Sequence, residues 1–332
     1  MTPDQVRGRP IGVIGSGAWG TALAQAMASD GSDVVLWARE AELVEEINQQ
    51  RTNSLFLPSA RLAETIRATG SLAELADCPV LLVVTPAQHL ARVLAGLPDA
   101  PRDLVLCSKG IEAGTGRLMA DVAAQAAPTA SIAVLSGPTF AHEVAAGLPT
   151  AVTLACAGGE QQWARLAPVL SRPSLRPYYS DDVIGAEIGG SVKNVLAIAC
   201  GVVEGLKLGQ NARAALISRG YAEMLRFGEA LGARRDTLAG LCGLGDLVLT
   251  CSSTSSRNFS LGKALGEGQS AATLMQDRRT VAEGAFTAPV LRDLAAQNAV
   301  AMPIVEAVCA LLDGASAAEV AQDMLTRPLR AE

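Results

Sequence analysis

The sequence predicts an α/β fold, in which a doubly wound parallel sheet is followed by an all-helical domain. Short β-branched runs alternate with alanine-rich helical stretches in the first half of the chain, and most of these runs lack polar/apolar alternation. Strands that are apolar on both faces are typical of parallel sheets covered by helices on each side. No strand pattern follows Ser180. A chain of 332 residues corresponds to about two domains, which we place at 1–189 and 190–332.

The individual elements follow from composition and period. The predicted strands are Ile11–Ile14, Val34–Trp37, Val80–Val84, Leu104–Cys107, Ile132–Leu135 and Ala151–Leu154. Helices are predicted between them at Ala18–Ser29, Ala41–Gln49, Gln88–Leu94 and Leu118–Ala126, and this βαβ alternation indicates a doubly wound sheet. Ser180, Asp181 and Asp182 form an N-cap cluster for a long helix. Further helices are predicted at Ala212–Leu231, Leu261–Leu265, Pro289–Gln297, Ile304–Leu312 and Ala317–Leu325.

Composition excludes several classes of function. A net charge of −6 and an aromatic content of 3% disfavour a nucleic-acid surface, whether held by phosphate contacts or by base stacking. The seven cysteines contain no CxxC pair and lie mostly in apolar runs, which indicates buried thiols in a reducing compartment and no metal site. The start of the chain has no apolar signal segment. The longest candidate for a membrane span, Val195–Val203, has nine residues where about 20 are needed. We therefore expect a cytoplasmic protein without a membrane span.

A glycine-rich loop follows the first predicted strand. Gly15, Gly17 and Gly20 match G-x-G-x-x-G between that strand and a helix that begins near Ala18. The glycines permit a tight turn and a close backbone approach to a pyrophosphate, whose charge then meets the helix N-terminus. The loop predicts a Rossmann-type domain that binds a dinucleotide, with a glycine-rich turn lacking a ligand as the alternative. Trp19 is either a core aromatic or a side chain that packs over the cofactor.

The charged residues after the second predicted strand bear on the choice of cofactor. An arginine such as Arg39 is typical of NADP sites, whereas an acid such as Glu40 is typical of NAD sites. Two solvated charges are an equally good interpretation of the spacing alone. We expect both NADPH/NADP and NADH/NAD to be used.

Two loops at predicted carboxyl ends of strands are candidates for ligand contacts. Lys109 follows one strand, and Gly137 and Thr139 follow the next one. The second loop leads into a helix predicted at Phe140–Ala146, whose first N–H groups could face an amide or an anion. A surface lysine and a capped turn are the simpler interpretation of these residues.

Lys193 is the strongest catalytic candidate. It lies in a predicted helix that is apolar on nearly every face after Asn194, and such a helix is buried. A charged lysine there is costly unless it is paired or faces a polar cavity. A desolvated lysine also releases its proton more easily than one in water, as general acid/base catalysis requires. Gly185, Gly189 and Gly190 leave room for a ring or a second backbone to approach. A lysine that snorkels from a helix edge is the structural alternative.

The last candidates lie between Gly243 and Asn258. Asp246 fits an ordinary N-cap. The hydroxyl-rich run that ends in Arg257 and Asn258 fits a solvated loop between helices or, as the functional alternative, a phosphate cradle. In that cradle the planar fork of arginine matches phosphate oxygens, while asparagine and serine add neutral donors. The chain has only two histidines, which favours neither a Ser-His-Asp triad nor a histidine-rich metal site, so lysine is the natural acid/base.

Taken together, these segments resemble bacterial NAD(P)-dependent glycerol-3-phosphate dehydrogenases. The matching stretches follow the family's order across nearly the whole chain and are highly specific as a set. They are Gly15–Gly20, Ser108–Gly110, Ser136–Ala141, Gly190–Asn194, Asn211–Gly220, Gly243–Cys251, Ser256–Asn258 and Val281–Gly284.

The resemblance implies reversible reduction of dihydroxyacetone phosphate to sn-glycerol 3-phosphate for phospholipid biosynthesis. It also implies a helical domain like the C-terminal domain of 6-phosphogluconate dehydrogenase. Lys193 would accept the proton in alcohol oxidation and donate it in ketone reduction. The other catalytic positions implied are Asp246, Lys109, Asn194 and Thr250. Substrate contacts are implied for Lys109, Gly137, Thr139, Lys193, Asp246, Ser256, Arg257 and Asn258. Cofactor contacts are implied for Gly15, Gly17, Ala18, Trp19, Gly20, Arg39, Lys109, Ala141, Arg257, Val281 and Glu283.

Two positions depart from the pattern of the family. Ala18 stands where many members have serine, which removes a hydroxyl contact, and Lys207 replaces a common glycine. Two other functions stay open. A related dehydrogenase for a β-hydroxyacid or ketopantoate would bind a carboxylate where Ser256–Asn258 suggest phosphate. A non-catalytic NAD(P)-binding redox sensor would not need Lys193. A homodimer through the helical domain is compatible with a chain this apolar.

Overall fold

The computed structural model describes Val6, residues 8–275 and residues 282–326. The chain divides into two compact units, Met1–Glu112 with Arg117–Glu187, and Ala113–Gly116 with Ile188–Glu332. The division after Glu187 falls inside one continuous helix. The segment Ala113–Gly116 groups with the second unit, although the predicted domain 1–189 includes it.

The first unit is built on an eight-stranded sheet. Its strands are β1 (Ile11–Ile14), β2 (Val34–Trp37), β3 (Ile66–Thr69), β4 (Val80–Val83), β5 (Asp103–Leu106), β6 (Ser131–Ser136), β7 (Thr150–Cys156) and β8 (Leu175–Ser180). They lie in the order β3-β2-β1-β4-β5-β6-β7-β8 across the sheet. β1 to β6 pair in parallel, whereas β7 is antiparallel to β6 and β8 is parallel to β7.

Helices connect these strands as the alternation predicts. They are α1 (Ala18–Ala28), α2 (Ala41–Gln50), α3 (Leu90–Leu94), α4 (Met119–Ala126), α5 (Ala141–Ala145) and α6 (Gly159–Leu170). All six strands and all five helices predicted for this half of the chain are present, with ends that differ by a residue or two, and a 3-10 turn, Ala87–His89, precedes α3.

The sequence patterns do not predict β3 and β8, which are the two edge strands of the sheet. β8 contains Pro177, which weakens a strand pattern but is tolerated at an edge, where one ladder donor can be missing. β3 has four residues, and one of them is the exposed Arg67. The expectation of a purely parallel sheet is wrong for β7. That strand is buried along most of its length, so an antiparallel strand shows the continuous apolar pattern expected of a parallel one.

The order of the strands reverses beside β1, which pairs with β2 on one side and with β4 on the other. In open α/β sheets the ligand crevice lies beyond the carboxyl ends of the strands at this kind of point. The glycine-rich loop leaves β1 there and contacts the backbone at Val84 and Thr85, directly after β4. The topology therefore puts the loop where a dinucleotide would bind.

The second unit is helical, and its described part contains no strand. The long helix α7 (Val183–Gly205) leads into it from the first unit. The remaining helices are α8 (Gly209–Ala230), α9 (Arg235–Ala239), α10 (Asp246–Thr250), α11 (Arg257–Gly266), α12 (Ala271–Leu274), α13 (Glu283–Gln297), α14 (Pro303–Leu312) and α15 (Ala317–Leu325). A π-helical turn, Leu241–Gly245, precedes α10. The helices predicted after Ser180 are confirmed, although α11 and α13 begin earlier than expected.

Helix α7 begins as the N-cap cluster predicts, because the Asp182 carboxylate accepts the Gly185 N–H at 2.8 Å. The apolar stretch Val195–Val203 is part of this 23-residue helix, which by length and composition alone could cross a membrane. The most apolar stretch of this helix is 89% buried inside the protein. The apolar run that counts nine residues in the sequence is thus part of a longer apolar helix.

Glycines bring α7 and α11 into backbone contact within the second unit. A Cβ on Gly201 would lie 2.0 Å from the Phe259 carbonyl oxygen, and one on Gly262 would lie 1.9 Å from the Ile198 carbonyl oxygen. No Cβ fits at these distances, so the crossing depends on glycine at both positions. This contact sets the N-terminal end of α11 beside the middle of α7.

All seven cysteines are free and buried. Burial raises the pKa of the Cys107 thiol to about 12, and it raises the pKa of the Cys251 thiol well above its usual range, with a further rise from the hydrogen-bonded Cys200. Protonated, buried thiols of this kind are poor nucleophiles. No group of three or more His, Cys, Asp or Glu side chains that could hold a metal occurs within the described ranges.

Candidate active site

The three glycines of the loop after β1 have different structural roles. Gly15 has φ +113, and a Cβ there would lie 3.0 Å from the Val84 carbonyl oxygen. A Cβ on Gly20 would lie 1.8 Å from the Gly15 carbonyl oxygen, so this glycine allows α1 to pack against the turn. Gly17 is the N-cap of α1, and a Cβ on it would meet nothing within 4 Å. Its open face is the one that a ligand can approach.

The N-terminus of α1 fits the pyrophosphate of a dinucleotide. No side chain caps it, and its first turn contains no acidic residue. The unpaired N–H groups and the positive end of the helix dipole therefore stay available to an anion. Ala18 begins the helix without a hydroxyl group, so the backbone carries this interaction.

A polar network behind the loop holds its second residue. The Ser16 carbonyl oxygen accepts hydrogen bonds from the Asn53 side-chain amide at 2.8 Å and from the Thr21 hydroxyl at 3.0 Å. The same amide donates to the Thr21 hydroxyl at 2.7 Å. Asn53 is fully buried. Sequence reasoning missed this residue, because a lone asparagine more than 30 positions after the loop gives no local signal.

Two further side chains lie at the predicted cofactor positions. The Arg39 guanidinium donates to the Glu40 carboxylate at 2.7 and 3.0 Å, and both residues follow β2. The cation typical of NADP sites and the acid typical of NAD sites thus form an exposed ion pair with each other. Trp19 is half-buried and packs against the core, yet its indole N–H is buried without a hydrogen-bond partner in the described part of the chain.

The residues predicted at the ends of β5 and β6 lie together. The Lys109 ammonium is 3.5 Å from the Gly137 carbonyl oxygen, and the Thr139 hydroxyl is 3.3 Å from the same oxygen. The Ser108 hydroxyl donates to the Thr85 carbonyl at 2.5 Å, next to the backbone that Gly15 contacts. These loops therefore adjoin the dinucleotide loop within the first unit.

Gly137 is required for packing as well, because a Cβ on it would lie 2.9 Å from the Val152 Cα atom in β7. Ala141, the first residue of α5, packs against the core of this unit. Both residues hold the backbone after β6 against the sheet.

A buried ion pair lies in the second unit. The Lys193 ammonium of α7 contacts the Asp246 carboxylate at the start of α10, and the two side chains are 6% and 0% exposed. The Thr250 hydroxyl, one turn later in α10, is 3.3 Å from the same carboxylate oxygen. Lys193 is thus paired in the interior and does not snorkel from a helix edge. Gly189 makes the approach possible, since a Cβ there would lie 2.2 Å from the Cys242 carbonyl oxygen.

Two asparagines join three helices beside this pair. The Asn258 amide donates to the Asn194 side-chain oxygen at 2.9 Å, and the Asn258 side-chain oxygen accepts the Gly284 N–H at 2.9 Å. A Cβ on Gly284 would lie 2.5 Å from the Asn194 carbonyl oxygen. The two side chains thus position α7, α11 and α13 relative to one another.

The residues of the predicted phosphate cradle lie at the N-terminus of α11. The Ser256 hydroxyl caps the helix by accepting the Phe259 N–H at 3.2 Å. Arg257 is exposed at the first helical position. A guanidinium beside the positive end of a helix dipole favours an anion. The interpretation as a fully solvated loop is wrong for Ser256 and Asn258, which are buried.

The remaining predicted positions lie elsewhere. Glu283 begins α13, and its carbonyl oxygen accepts the Thr287 hydroxyl at 2.9 Å. Val281 is outside the described residues. Lys207, which replaces a common glycine, has φ +57, so it keeps the left-handed conformation that favours glycine.

Sequence and structure comparisons cover both units. A sequence model described as the NAD-dependent glycerol-3-phosphate dehydrogenase N-terminus matches residues 10–162, and the corresponding C-terminus matches residues 182–323. The chain belongs to the NAD-dependent glycerol-3-phosphate dehydrogenase family. This membership confirms the resemblance drawn from the motifs.

Two relatives and one solved structure show how similar this chain is to known members of the family. The chain is 74% identical to a glycerol-3-phosphate dehydrogenase [NAD(P)+] of Novosphingobium aromaticivorans, over 97% of this chain and 98% of that protein. It is 72% identical to the Erythrobacter litoralis protein of the same name, over 97% of each chain. The crystal structure of the Coxiella burnetii glycerol-3-phosphate dehydrogenase is 40% identical, with a TM-score of 0.91, over 96% of this chain and 99% of that chain. The two-part α/β and helical fold is therefore that of the family.

Proposed function

We propose that this member of the family reduces dihydroxyacetone phosphate reversibly to sn-glycerol 3-phosphate with NADPH or NADH. The observation that carries the proposal is the buried ion pair of Lys193 and Asp246, together with family membership over nearly the whole chain. The product is a precursor for phospholipid biosynthesis. We also propose that the enzyme works in the cytoplasm.

The first unit would bind the cofactor, which supplies or accepts a hydride at the substrate carbon. Gly15, Gly17 and Gly20 would hold its pyrophosphate at the N-terminus of α1. Trp19 would pack over the cofactor. Arg39 would bind the 2′-phosphate of NADPH, for which its exposed guanidinium suits the geometry and charge.

Further family positions extend the cofactor proposal. Ala18 would contribute backbone only, and Ala141 would line the same site. Lys109, Val281, Glu283 and Arg257 would complete the cofactor contacts. Lys109, Gly137 and Thr139 would also contact the substrate, which is supported by their convergence on one carbonyl oxygen after β6.

Lys193 would be the proton donor in reduction. As the carbonyl carbon gains a hydride, its oxygen becomes an alkoxide, and the Lys193 ammonium gives a proton to that oxygen. In the oxidation direction the neutral amine takes the hydroxyl proton as the hydride leaves. Asp246 stabilises the ammonium and fixes its direction, while the Thr250 hydroxyl holds the carboxylate. Asn194 would orient the lysine through α7.

The α11 N-terminus would bind the substrate phosphate. Arg257 would donate two parallel N–H groups to the phosphate. The Ser256 cap and the hydrogen bond of Asn258 to Asn194 would hold this end of the helix in place. Phosphate binding at one end of a three-carbon substrate fixes its carbonyl against Lys193, so binding energy becomes orientation of the reacting atom.

A homodimer is a separate part of the proposal. Leu208, Val248 and Phe286 of the helical unit are exposed large apolar side chains, and burial in a second copy would remove them from water. Light scattering after size-exclusion chromatography tests this, and a monomeric mass at micromolar concentration would contradict it.

The decisive experiment is a substrate profile with purified protein and NADPH. Loss of the near-ultraviolet absorbance of reduced nicotinamide is expected with dihydroxyacetone phosphate and not with ketopantoate. Binding of NADPH without turnover of any ketone would indicate a redox sensor instead. An Arg257→Ala variant should lose far more activity toward dihydroxyacetone phosphate than toward unphosphorylated dihydroxyacetone, whereas an equal loss would remove Arg257 from the phosphate.

A further inference from the structure

Asn53 is a buried polar residue that has no part in the proposed contacts with cofactor or substrate. It follows α2 and belongs to no motif of the dinucleotide loop, yet its amide donates to that loop and to the helix that follows it. Its NH₂ donates to the Ser16 carbonyl oxygen and to the Thr21 hydroxyl, and its oxygen accepts the Phe56 N–H at 3.0 Å. The side chain is fully buried, so water does not compete for these bonds.

These bonds orient one peptide group of the loop. The Ser16 carbonyl points inward, toward Asn53 and Thr21, and receives a hydrogen bond from each. A trans peptide directs its N–H opposite to its carbonyl, so the Gly17 N–H points away from Asn53. Gly17 is the N-cap of α1 and is the glycine with an open face. Asn53 and Thr21, on the interior side of the loop, therefore determine the direction of the first N–H group that an anion would meet.

We infer that Asn53 is a positioning residue for cofactor binding, which holds the Ser16–Gly17 peptide ready for the pyrophosphate before the dinucleotide arrives. The inference rests on the proposed function only in that the loop binds NAD(P). Without the amide, the peptide can rotate and turn its carbonyl oxygen toward the incoming phosphate. Only the fraction of molecules with the correct peptide orientation then binds, and the apparent affinity falls by that fraction.

The chain offers a matched variant, Asn53→Asp, and a control at Asn48, an exposed residue of the same type. Asn53→Asp keeps the size of the side chain and the acceptor for the Phe56 N–H, but places an oxygen against the Ser16 carbonyl. Asn48 holds backbone in the same unit by the same chemistry, since its amide donates to the Ala68 carbonyl at 3.0 Å and its oxygen accepts the Ala68 N–H at 2.8 Å. Asn48→Asp thus reports the general effect of losing one side-chain amide.

The experiment measures binding to the full chain by calorimetry, with NADPH, NADH and, as a ligand without a pyrophosphate, 2′-AMP. We expect Asn53→Asp to weaken both dinucleotides about tenfold or more, equivalent to ~1.4 kcal/mol, with a much smaller change for 2′-AMP. We expect Asn48→Asp to leave all three affinities within about twofold of the parent, well under the ~1.4 kcal/mol of a tenfold change. The Gly17 amide should exchange its hydrogen faster in cofactor-free Asn53→Asp than in the parent.

Three results would overturn the inference: unchanged dinucleotide affinity in folded Asn53→Asp, an equal loss for 2′-AMP, or an equal loss in Asn48→Asp. If Asn53→Asp does not fold, Asn53→Ala removes the same donor to the Ser16 carbonyl without introducing a charge. Unchanged dinucleotide affinity in folded Asn53→Ala would then refute the idea. A failed proposed function looks different, since the parent would bind dinucleotides normally but would not turn over dihydroxyacetone phosphate.

Discussion

Replacing Lys193 by methionine should separate the structural role of the Lys193–Asp246 pair from its catalytic role. Methionine has nearly the length of lysine but no charge, so it leaves the Asp246 carboxylate buried without its counter-ion. Asp246→Asn leaves the ammonium in the same position while it keeps an acceptor for the Thr250 hydroxyl. The double variant removes both charges.

The burial of the pair gives the magnitude. Two unit charges about 4 Å apart interact by about 4 kcal/mol at an effective dielectric constant near 20, and the side chains are 6% and 0% exposed. Removal of one partner from such a pair typically costs about 3–5 kcal/mol, whereas loss of both charges is often nearly neutral. We therefore expect each single variant to be less stable than the double variant.

Two assays measure the structural and the catalytic role of the pair separately. Urea unfolding followed by circular dichroism measures the stability of the parent, both single variants and the double variant. Steady-state kinetics with NADPH and dihydroxyacetone phosphate measures turnover, and we expect kcat to fall about 10²–10⁴-fold in Lys193→Met and in the double variant alike. NADPH affinity should change little in either protein.

The reasoning fails in two distinguishable ways. If the double variant loses as much stability as the two single variants added together, the charges are not coupled and the pair does not stabilise the interior. If Lys193→Met keeps near-normal turnover, another group donates the proton, whatever the stability of the variant.

Four further predictions concern the cofactor site and a buried acid. Arg39→Ala should raise the KM for NADPH more than the KM for NADH, because only NADPH carries a 2′-phosphate for the guanidinium to bind; equal increases would exclude that contact. Gly17→Ala should weaken NADPH binding while the thermal stability of the free protein is kept, because its methyl group would occupy the open face of the loop. Gly20→Ala should lower both, since its Cβ would lie 1.8 Å from a carbonyl oxygen, and a Gly20→Ala protein of parental stability would contradict this. Burial raises the pKa of Glu223 from 4.5 to about 7, so the folded protein retains a proton that the unfolded chain releases near pH 4.5, and stability falls as pH rises through this window. Glu223→Gln should therefore gain melting temperature relative to the parent between pH 5 and pH 8, and a constant difference would mean that this carboxyl group does not titrate abnormally.

The sequence by itself determined the elements that are apolar or glycine-rich for a local reason. Continuous β-branched runs specify buried strands wherever they occur, and the spacing of Gly15, Gly17 and Gly20 specifies a turn against a helix. A lysine in an all-apolar helix has to be paired or to face a polar cavity, so the sequence alone marks Lys193 as a functional candidate. Family membership supports the order of the remaining motifs.

Tertiary structure decided what depends on residues far apart in the chain. The partner of Lys193 is Asp246, 53 positions away, and an aspartate at a helix start looks the same whether it caps that helix or faces a lysine. The edge strands β3 and β8 form because neighbouring strands offer them hydrogen bonds, not because their own composition demands it. Asn53 acts on Ser16 across 37 positions. Hydrogen bonds between single side chains leave no periodic trace in a sequence, whereas burial of a whole strand or helix does.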